Sequence, residues 1–262
     1  MRGARDETLV VADLDGTLTF AGDRPEPVVL AAWDALMAMP GVRVALATAR
    51  SPRCIRGWFG PRVSQIDLVC CNGALVVPAA GRVTSSPLPV RGLHPVVSRL
   101  EHLGVGYCLE YGDHFVASTP RALPWMGTRH RRLLPRGLAP RLEGVLKLSV
   151  ASAEAAHAAV VGVPGLTVLP HATGDGDVLA RGVGKEVAVA DLRRRGERLV
   201  ALGNDANDRG LLGAADAAYL VGGGLRDLDL LPHVRRVPAV SDAVAQVLRT
   251  VAAHADRRPV TA

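Results

Sequence analysis

An α/β fold, a doubly wound parallel-sheet (Rossmann-like) core with an inserted α+β domain, follows from three features of this chain. Short valine- and leucine-rich runs without polar alternation read as strands buried on both faces. They alternate with helical segments at both ends of the sequence. That alternation breaks after Gly81 and resumes near Gly184.

The elements follow in order. Residues 9–12 form the first buried strand, which ends at Asp13. A helix is expected over about 25–39, opened by Pro25-Glu26-Pro27, and a second strand over 42–47. Residues 51–59 read as helical and 67–71 as a third strand, after which Asn72-Gly73 turns the chain into 74–77, a hairpin-like signal. The insert reads as a helix (95–103), strands (107–111 and 114–118), a basic stretch punctuated by Pro and Gly, a strand (145–150), a helix (153–161), a strand (166–169) and a short strand near Val178. The core then resumes with a helix (184–195), a strand (199–202), a short helix (207–214), a strand (217–221) and a closing amphipathic helix (241–253). The expected domains are a core of residues 1–84 and 180–262 and an insert of 85–179, with the Arg257-Arg258-Pro259 tail frayed.

Composition narrows the class of protein. The chain has 262 residues and is 48% hydrophobic, enough for one large domain or two modest ones. No run approaches the roughly 20 apolar residues that span a bilayer, and the opening residues lack the apolar segment of a signal peptide. A cytoplasmic location without a membrane partner is therefore expected. The four cysteines form no CxxC pair, so neither a zinc site nor a disulfide framework is signalled, and they read as buried inert thiols. The net charge of +6 comes almost wholly from arginine; the only lysines are Lys147 and Lys185. With abundant Ala, Gly and Val, this composition resembles that of a high-GC genome, as in actinobacteria, so arginine content alone does not indicate a ligand. An anionic substrate is compatible with the charge; no nucleic-acid partner is expected, and nothing signals an oligomeric state.

The chemistry gathers at strand ends. Asp13-Leu14-Asp15-Gly16-Thr17 follows the first strand directly, and in doubly wound sheets reactive groups collect at the carboxyl ends of strands. Two carboxylates at i and i+2 on a turn can face one site, one to attack phosphorus and one to move a proton, with a hard cation offsetting their charge. Solvated aspartates in an Asx-type turn would produce the same string. Thr48 at the end of the second strand and Lys185 at a helix start also admit purely structural readings, although both are places where phosphate contacts are favoured.

Taken together, these segments resemble the haloacid dehalogenase-like phosphatases. The DxDGT string resembles their first motif, Thr48-Ala49-Arg50 the second, Lys185 within Gly184-Lys185-Glu186 the third, and Gly203-Asn204-Asp205-Ala206-Asn207-Asp208 the fourth. Ala49 stands where the family more often has glycine. Asn72-Gly73-Ala74 matches a segment typical of members with a type-2 cap between motifs two and three (subfamily IIB). The resemblance implies that Asp13 is the nucleophile, that Asp15 protonates the leaving alcohol and then activates water, and that Thr48 and Lys185 stabilise the transferring phosphoryl group. It implies Mg²⁺ held by Asp13, the Asp15 carbonyl and the fourth motif, here Asn204 and Asp208. Arg50, Asn72, Lys147 and Asn207 are the candidate substrate-binding residues.

Cap residues would set substrate choice. Lys147 interrupts an apolar strand and either points to the ligand or snorkels to solvent. Arg129-His130-Arg131-Arg132 with Arg136 either contacts an anion or forms a solvated face, and His171 and Asp175 are candidates for substrate hydroxyls. The expected function is hydrolysis of a small phosphate monoester on a sugar or sugar-like polyol. A sugar phosphomutase, or a sugar-phosphate-binding protein with a decayed site, is the alternative. The last rests on Asn204, where the family usually has an acid. Either the Asn204 amide oxygen ligates the cation, which is favoured, or Asp205 turns inward, or the metal site is impaired.

Overall fold

The computed structural model describes residues 7–20, 24–135, 137–171 and 173–256. Arg136 and the Arg257-Arg258-Pro259 tail lie outside them. The chain forms two compact units, one from Met1–Arg50, Cys54–Val83 and Gly184–Ala262, the other from Ser51–Arg53 and Thr84–Val183. No helix among the described residues is long and apolar enough to cross a membrane.

The first unit is built on β1 (Thr8–Ala12), α1 (Pro27–Met37), β2 (Val42–Ala47), α2 (Pro52–Phe59), β3 (Asp67–Cys70) and β4 (Leu75–Val77), and the two-residue β5 (Thr84–Ser85) follows directly after its boundary at Val83. In the second unit the chain runs α3 (Val90–His102), β6 (Tyr107–Glu110), β7 (Phe115–Ala117), β8 (Arg131–Leu133), β9 (Lys147–Val150), α4 (Ala153–Val160), β10 (Leu166–Pro170) and β11 (Gly176–Ala180). It returns through α5 (Lys185–Leu192), β12 (Arg198–Gly203), α6 (Arg209–Ala214), β13 (Ala217–Val221), β14 (Val234–Val237) and α7 (Ser241–Asp256).

The first sheet has the order β14-β13-β12-β1-β2-β3-β4-β5. Its strands from β14 to β3 pair in parallel, and β4 returns antiparallel to β3. The chain winds outward from β1 through β2 and β3, then outward the other way through β12, β13 and β14. The carboxyl ends of β1, β2 and β12 therefore meet where the winding reverses, the usual place for a ligand. Every residue of β1 is buried, as its unbroken apolar run requires. Leu9 and Val11 pack with Ala188 and Val189 of α5 and Leu211 and Leu212 of α6. Val10 and Ala12 point to the opposite face, and α1 and α7 pack against each other.

The second sheet has the order β10-β11-β9-β6-β7-β8. One face carries Tyr107, Leu109, Leu148, Val150 and Val178, buried against Leu93, Val96, Val97 and Leu100 of α3 and Ala156 and Ala159 of α4. The α3 helix begins at Val90, five residues before the start expected at Pro95, and carries that proline inside. Losing one backbone hydrogen bond at position 95 is outweighed by burying an apolar stripe at helical spacing from Leu93 onward.

Candidate active site

Three strand ends and one helix start deliver the site, all from the first unit. The β1–β12 pairing continues into the loop, where Asp13 N–H donates to Leu202 O at 3.0 Å. The loop then coils tightly, with Leu18 and Thr19 N–H both donating to Leu14 O at 2.9 Å. At the end of β2, Thr48 is fully buried and its Oγ1 accepts the Arg50 N–H at 3.1 Å, so its hydroxyl hydrogen remains to be donated. Lys185 opens α5, and Asn204 to Asp208 turn out of β12.

Lys185 ties the site together. Its Nζ lies 2.6 Å from Asp13 Oδ1 and 2.7 Å from Asp208 Oδ1, and its side chain is wholly buried. An ammonium has three donors, so one is left for a ligand oxygen. Burial alone would lower the Lys185 ammonium, but Asp13 and Asp208 outweigh it and raise it above its ordinary value. One cation between two carboxylates leaves an excess negative charge. Burial accordingly holds the Asp13 carboxyl well above the usual carboxylate range, with Lys185 opposing and Asp208 and Asp15 adding to the rise.

Both oxygens of Asp208, expected as a metal ligand, have partners within the protein. Its Oδ1 is taken by Lys185 and its Oδ2 accepts the Asn204 and Asp205 N–H groups at 2.9 and 3.2 Å. With no exposure and both oxygens engaged, it anchors Lys185 and the turn. This close approach needs glycine at 203, because a Cβ there would sit 2.6 Å from Asp208 Cβ and Cγ. Gly203→Ala is expected to cost about 1–3 kcal/mol, as overpacking does, and to lower activity by displacing Asp208; thermal melts with wild-type midpoints would contradict it. Asp205 caps the turn, its Oδ1 accepting the Ala206 N–H at 2.7 Å.

Asp15 is held outward. Arg50 Nε and Nη2 donate to its two oxygens, each at 2.7 Å, and the guanidinium lies 4.3 Å over the Trp58 ring. Arg50, expected as a substrate contact, thus orients the proton-transfer candidate. Asn204 brings its amide against the first loop, where Thr17 Oγ1 donates to Asn204 Oδ1 at 3.0 Å. Asn72 and Asn207 join two turns, Asn207 Nδ2 donating to Asn72 Oδ1 at 3.0 Å. Cys71 and Asn72 sit consecutively at positive φ, 53° and 56°, a costly conformation for non-glycine residues that clusters at functional sites.

The second unit has a polar cluster of its own. Lys147 is buried, its Nζ donating to Asp177 Oδ2 at 2.8 Å, while Ser149 Oγ donates to Asp177 Oδ1 at 2.6 Å. His171 Nε2 lies 3.2 Å from the same Asp177 Oδ2. Lys147 is therefore no snorkelling surface residue. Sequence reasoning missed Asp177, whose only signal was an acid in a short strand beside the strand of Lys147. Thr173 donates to Asp175. Arg131 serves its own loop: its guanidinium donates to the carbonyls of Ala122, Leu123 and Gly127. Arg129, His130 and Arg132 are exposed. Cys70, Cys71 and Cys108 are buried, but Cys54 is only half-buried.

The Asp177 bond raises the His171 imidazole above its ordinary 6.5, against burial. Burial would raise the Asp177 carboxyl, but Lys147 and His171 outweigh it and hold it well below its ordinary 3.8. The stabilisation from His171 is full below its ordinary value and fades as pH rises through the raised one; that from Asp177 is present above its ordinary value and is lost as pH falls through the depressed one. The melting-temperature gap between wild type and His171→Gln is thus expected to be widest at about pH 5–6.5 and to narrow by about pH 9. A gap that widens with rising pH would contradict the pairing.

Residues 10–132 match the family model of the haloacid dehalogenase-like hydrolases. No curated protein matches the chain. Among solved structures, the fold is similar to that of a haloacid dehalogenase-like hydrolase from Bacteroides thetaiotaomicron, with 16% identity, 94% of this chain and 99% of that one covered, and a TM-score of 0.79. A haloacid dehalogenase-like hydrolase from B. subtilis matches at 17% identity over 92% of this chain and 99% of that one, with a TM-score of 0.77. A subclass IIB sugar phosphatase of the same superfamily matches at 16% identity over 93% and 98%, with a TM-score of 0.75.

Proposed function

We propose that the chain, whose residues 10–132 match the family model of the haloacid dehalogenase-like hydrolases, hydrolyses phosphate monoesters with Asp13 as nucleophile, and that the alcohol is a sugar or sugar-like polyol. The observation that carries this reading is the buried Lys185 ammonium, 2.6 Å from Asp13 Oδ1 at a strand end. Such a charge favours phosphoryl oxygens beside the attacking carboxylate. The likeness of the fold to that of a subclass IIB sugar phosphatase supports the substrate class, as do the polar side chains of Lys147, Ser149 and Asp177 in the second unit.

A divalent cation fits the donor set. The Asn204 amide lies against both Asp15 O and Asp13 Oδ2, so a carboxylate, a carbonyl and an amide converge, and hard oxygen donors suit Mg²⁺. Among the described residues no group of three His, Cys, Asp or Glu gathers, which makes the set low in charge. Asp13, the Asp15 carbonyl and Asn204 with its amide oxygen inward would hold the ion, whose charge would offset that of the phosphoryl oxygens.

The chain's own groups would carry the reaction in two steps. The Asp13 carboxylate attacks phosphorus, the ester P–O bond breaks, and the departing alkoxide takes a proton from the Asp15 carboxyl. Water then attacks the aspartyl-phosphate, gives its proton to Asp15, and Asp13 is regenerated as phosphate leaves. Thr48 Oγ1 and the third Lys185 donor hold phosphoryl oxygens, and Arg50 sets the Asp15 rotamer. Phosphate release should be measured with Mg²⁺ across hexose phosphates, polyol phosphates and nucleotides. Sugar or polyol phosphates are expected to exceed nucleotides in kcat/KM by about tenfold or more, a difference of about 1.4 kcal/mol. Transfer of phosphate within a sugar without release, or no turnover at all, would overturn the reading.

A further inference from the structure

Asn204 stands at the carboxyl end of β12, and the loop after β1 closes around its amide. Two of the acceptors it meets, the Asp15 carbonyl and the Asp13 carboxylate, have no hydrogen to give. Turned so that its nitrogen faces them, Nδ2 lies 3.0 Å from Asp15 O, 3.2 Å from Asp13 Oδ2 and 3.0 Å from Thr17 Oγ1. Turned the other way, its oxygen accepts from the Thr17 hydroxyl at 3.0 Å. Thr17 serves both orientations because a hydroxyl both donates and accepts. The loop fits closely: Gly16 has φ +78°, and a Cβ there would come within 2.2 Å of an end atom of the amide.

We infer that Asn204 is the resting site's own stand-in for a cation. Its N–H group points at the oxygens that would hold the ion, keeps the loop of residues 13–17 in place without metal, and must rotate so that the amide oxygen faces inward before a divalent ion is held. The inference rests on the proposed cation-holding role of Asp13, Asp15 and Asn204. A carboxylate at position 204 would face a carbonyl and a carboxylate with no hydrogen to offer them. Such a site would be strained without metal and would close on it. Asparagine exchanges cation affinity, amides being the weaker ligands, for a loop that is formed in advance.

The test compares the chelator-treated full chain with Asn204→Asp and Asn204→Ala by thermal melting and Mg²⁺ calorimetry. Both variants are expected to melt below wild type by several degrees without metal. Asn204→Asp alone is expected to gain Mg²⁺ affinity, at least about tenfold, and to show the larger melting shift on saturation. Wild-type side-chain amide resonances, assigned by their loss in Asn204→Ala, give a readout that needs no folded carboxylate variant: slow hydrogen exchange without metal, lost on Mg²⁺ addition. An Asn204→Asp protein as stable as wild type without metal, Mg²⁺ affinity unchanged by that substitution, or fast-exchanging amide hydrogens in the metal-free protein would each overturn the inference. None of these readouts uses turnover, so a failed phosphatase assay would leave the melting, calorimetry and exchange results standing on their own.

Discussion

Asp13→Asn is expected to abolish turnover while leaving the protein folded. The replacement is nearly the same size as the proposed nucleophile, and in the proposed mechanism no other side chain attacks phosphorus. The rate should fall by at least about a thousandfold, near 4 kcal/mol at 1.36 kcal/mol per tenfold. Stability should hold or rise, because Lys185 would then face one carboxylate, Asp208, and the excess buried negative charge would be gone. A variant keeping more than about a tenth of wild-type kcat, a loss of only about 1.4 kcal/mol, would show that Asp13 is not the nucleophile.

Lys185→Met should be the most destabilising single change at the site. It removes the ammonium between Asp13 and Asp208, whose nearest oxygens lie 2.6 and 2.7 Å from it, and leaves both carboxylates buried. Breaking a buried pair typically costs about 3–5 kcal/mol because the remaining charge is uncompensated. For a chain of this size that corresponds to a fall in Tm on the order of 10 °C, with turnover lost as well. Adding Asp208→Asn should restore much of the stability and none of the activity. A single variant melting within about 2 °C of wild type would mean the network contributes little, since each 1 kcal/mol is worth about 2–4 °C.

How much of this was legible in the sequence depended on what each residue needs from its neighbours. Strands such as β1, and β2 from Val44 onward, announce themselves because burial on both faces demands apolar runs. The short edge strands β5, β8 and β14 did not, since β8 reads Arg131-Arg132-Leu133 and its side chains are largely exposed. The start of α3 was hidden by Pro95, a local signal overruled by packing. At the site, the positions of Asp13 and Thr48 at strand ends and of Lys185 at a helix start were legible, because buried apolar strands mark where those ends fall. The partnership of Arg50 with Asp15, the double engagement of Asp208, and the Lys147–Asp177 pair could not, because each depends on side-chain directions across segments distant in sequence. Asn204 was visible as a departure, but the oxygens that its amide meets emerge only from the loop that surrounds it.

The most direct test of the central claim is to trap the phosphorylated side chain. Asp15→Asn should slow the attack of water, so that the intermediate accumulates with a substrate carrying a good leaving group. Acid-quenched protein would be reduced with borohydride, which converts an aspartyl-phosphate to homoserine, and mapped by mass spectrometry. The account predicts one equivalent of alcohol released per site and homoserine at position 13. Stoichiometric alcohol release with Asp13 unmodified, or with the phosphate on another residue, would contradict it.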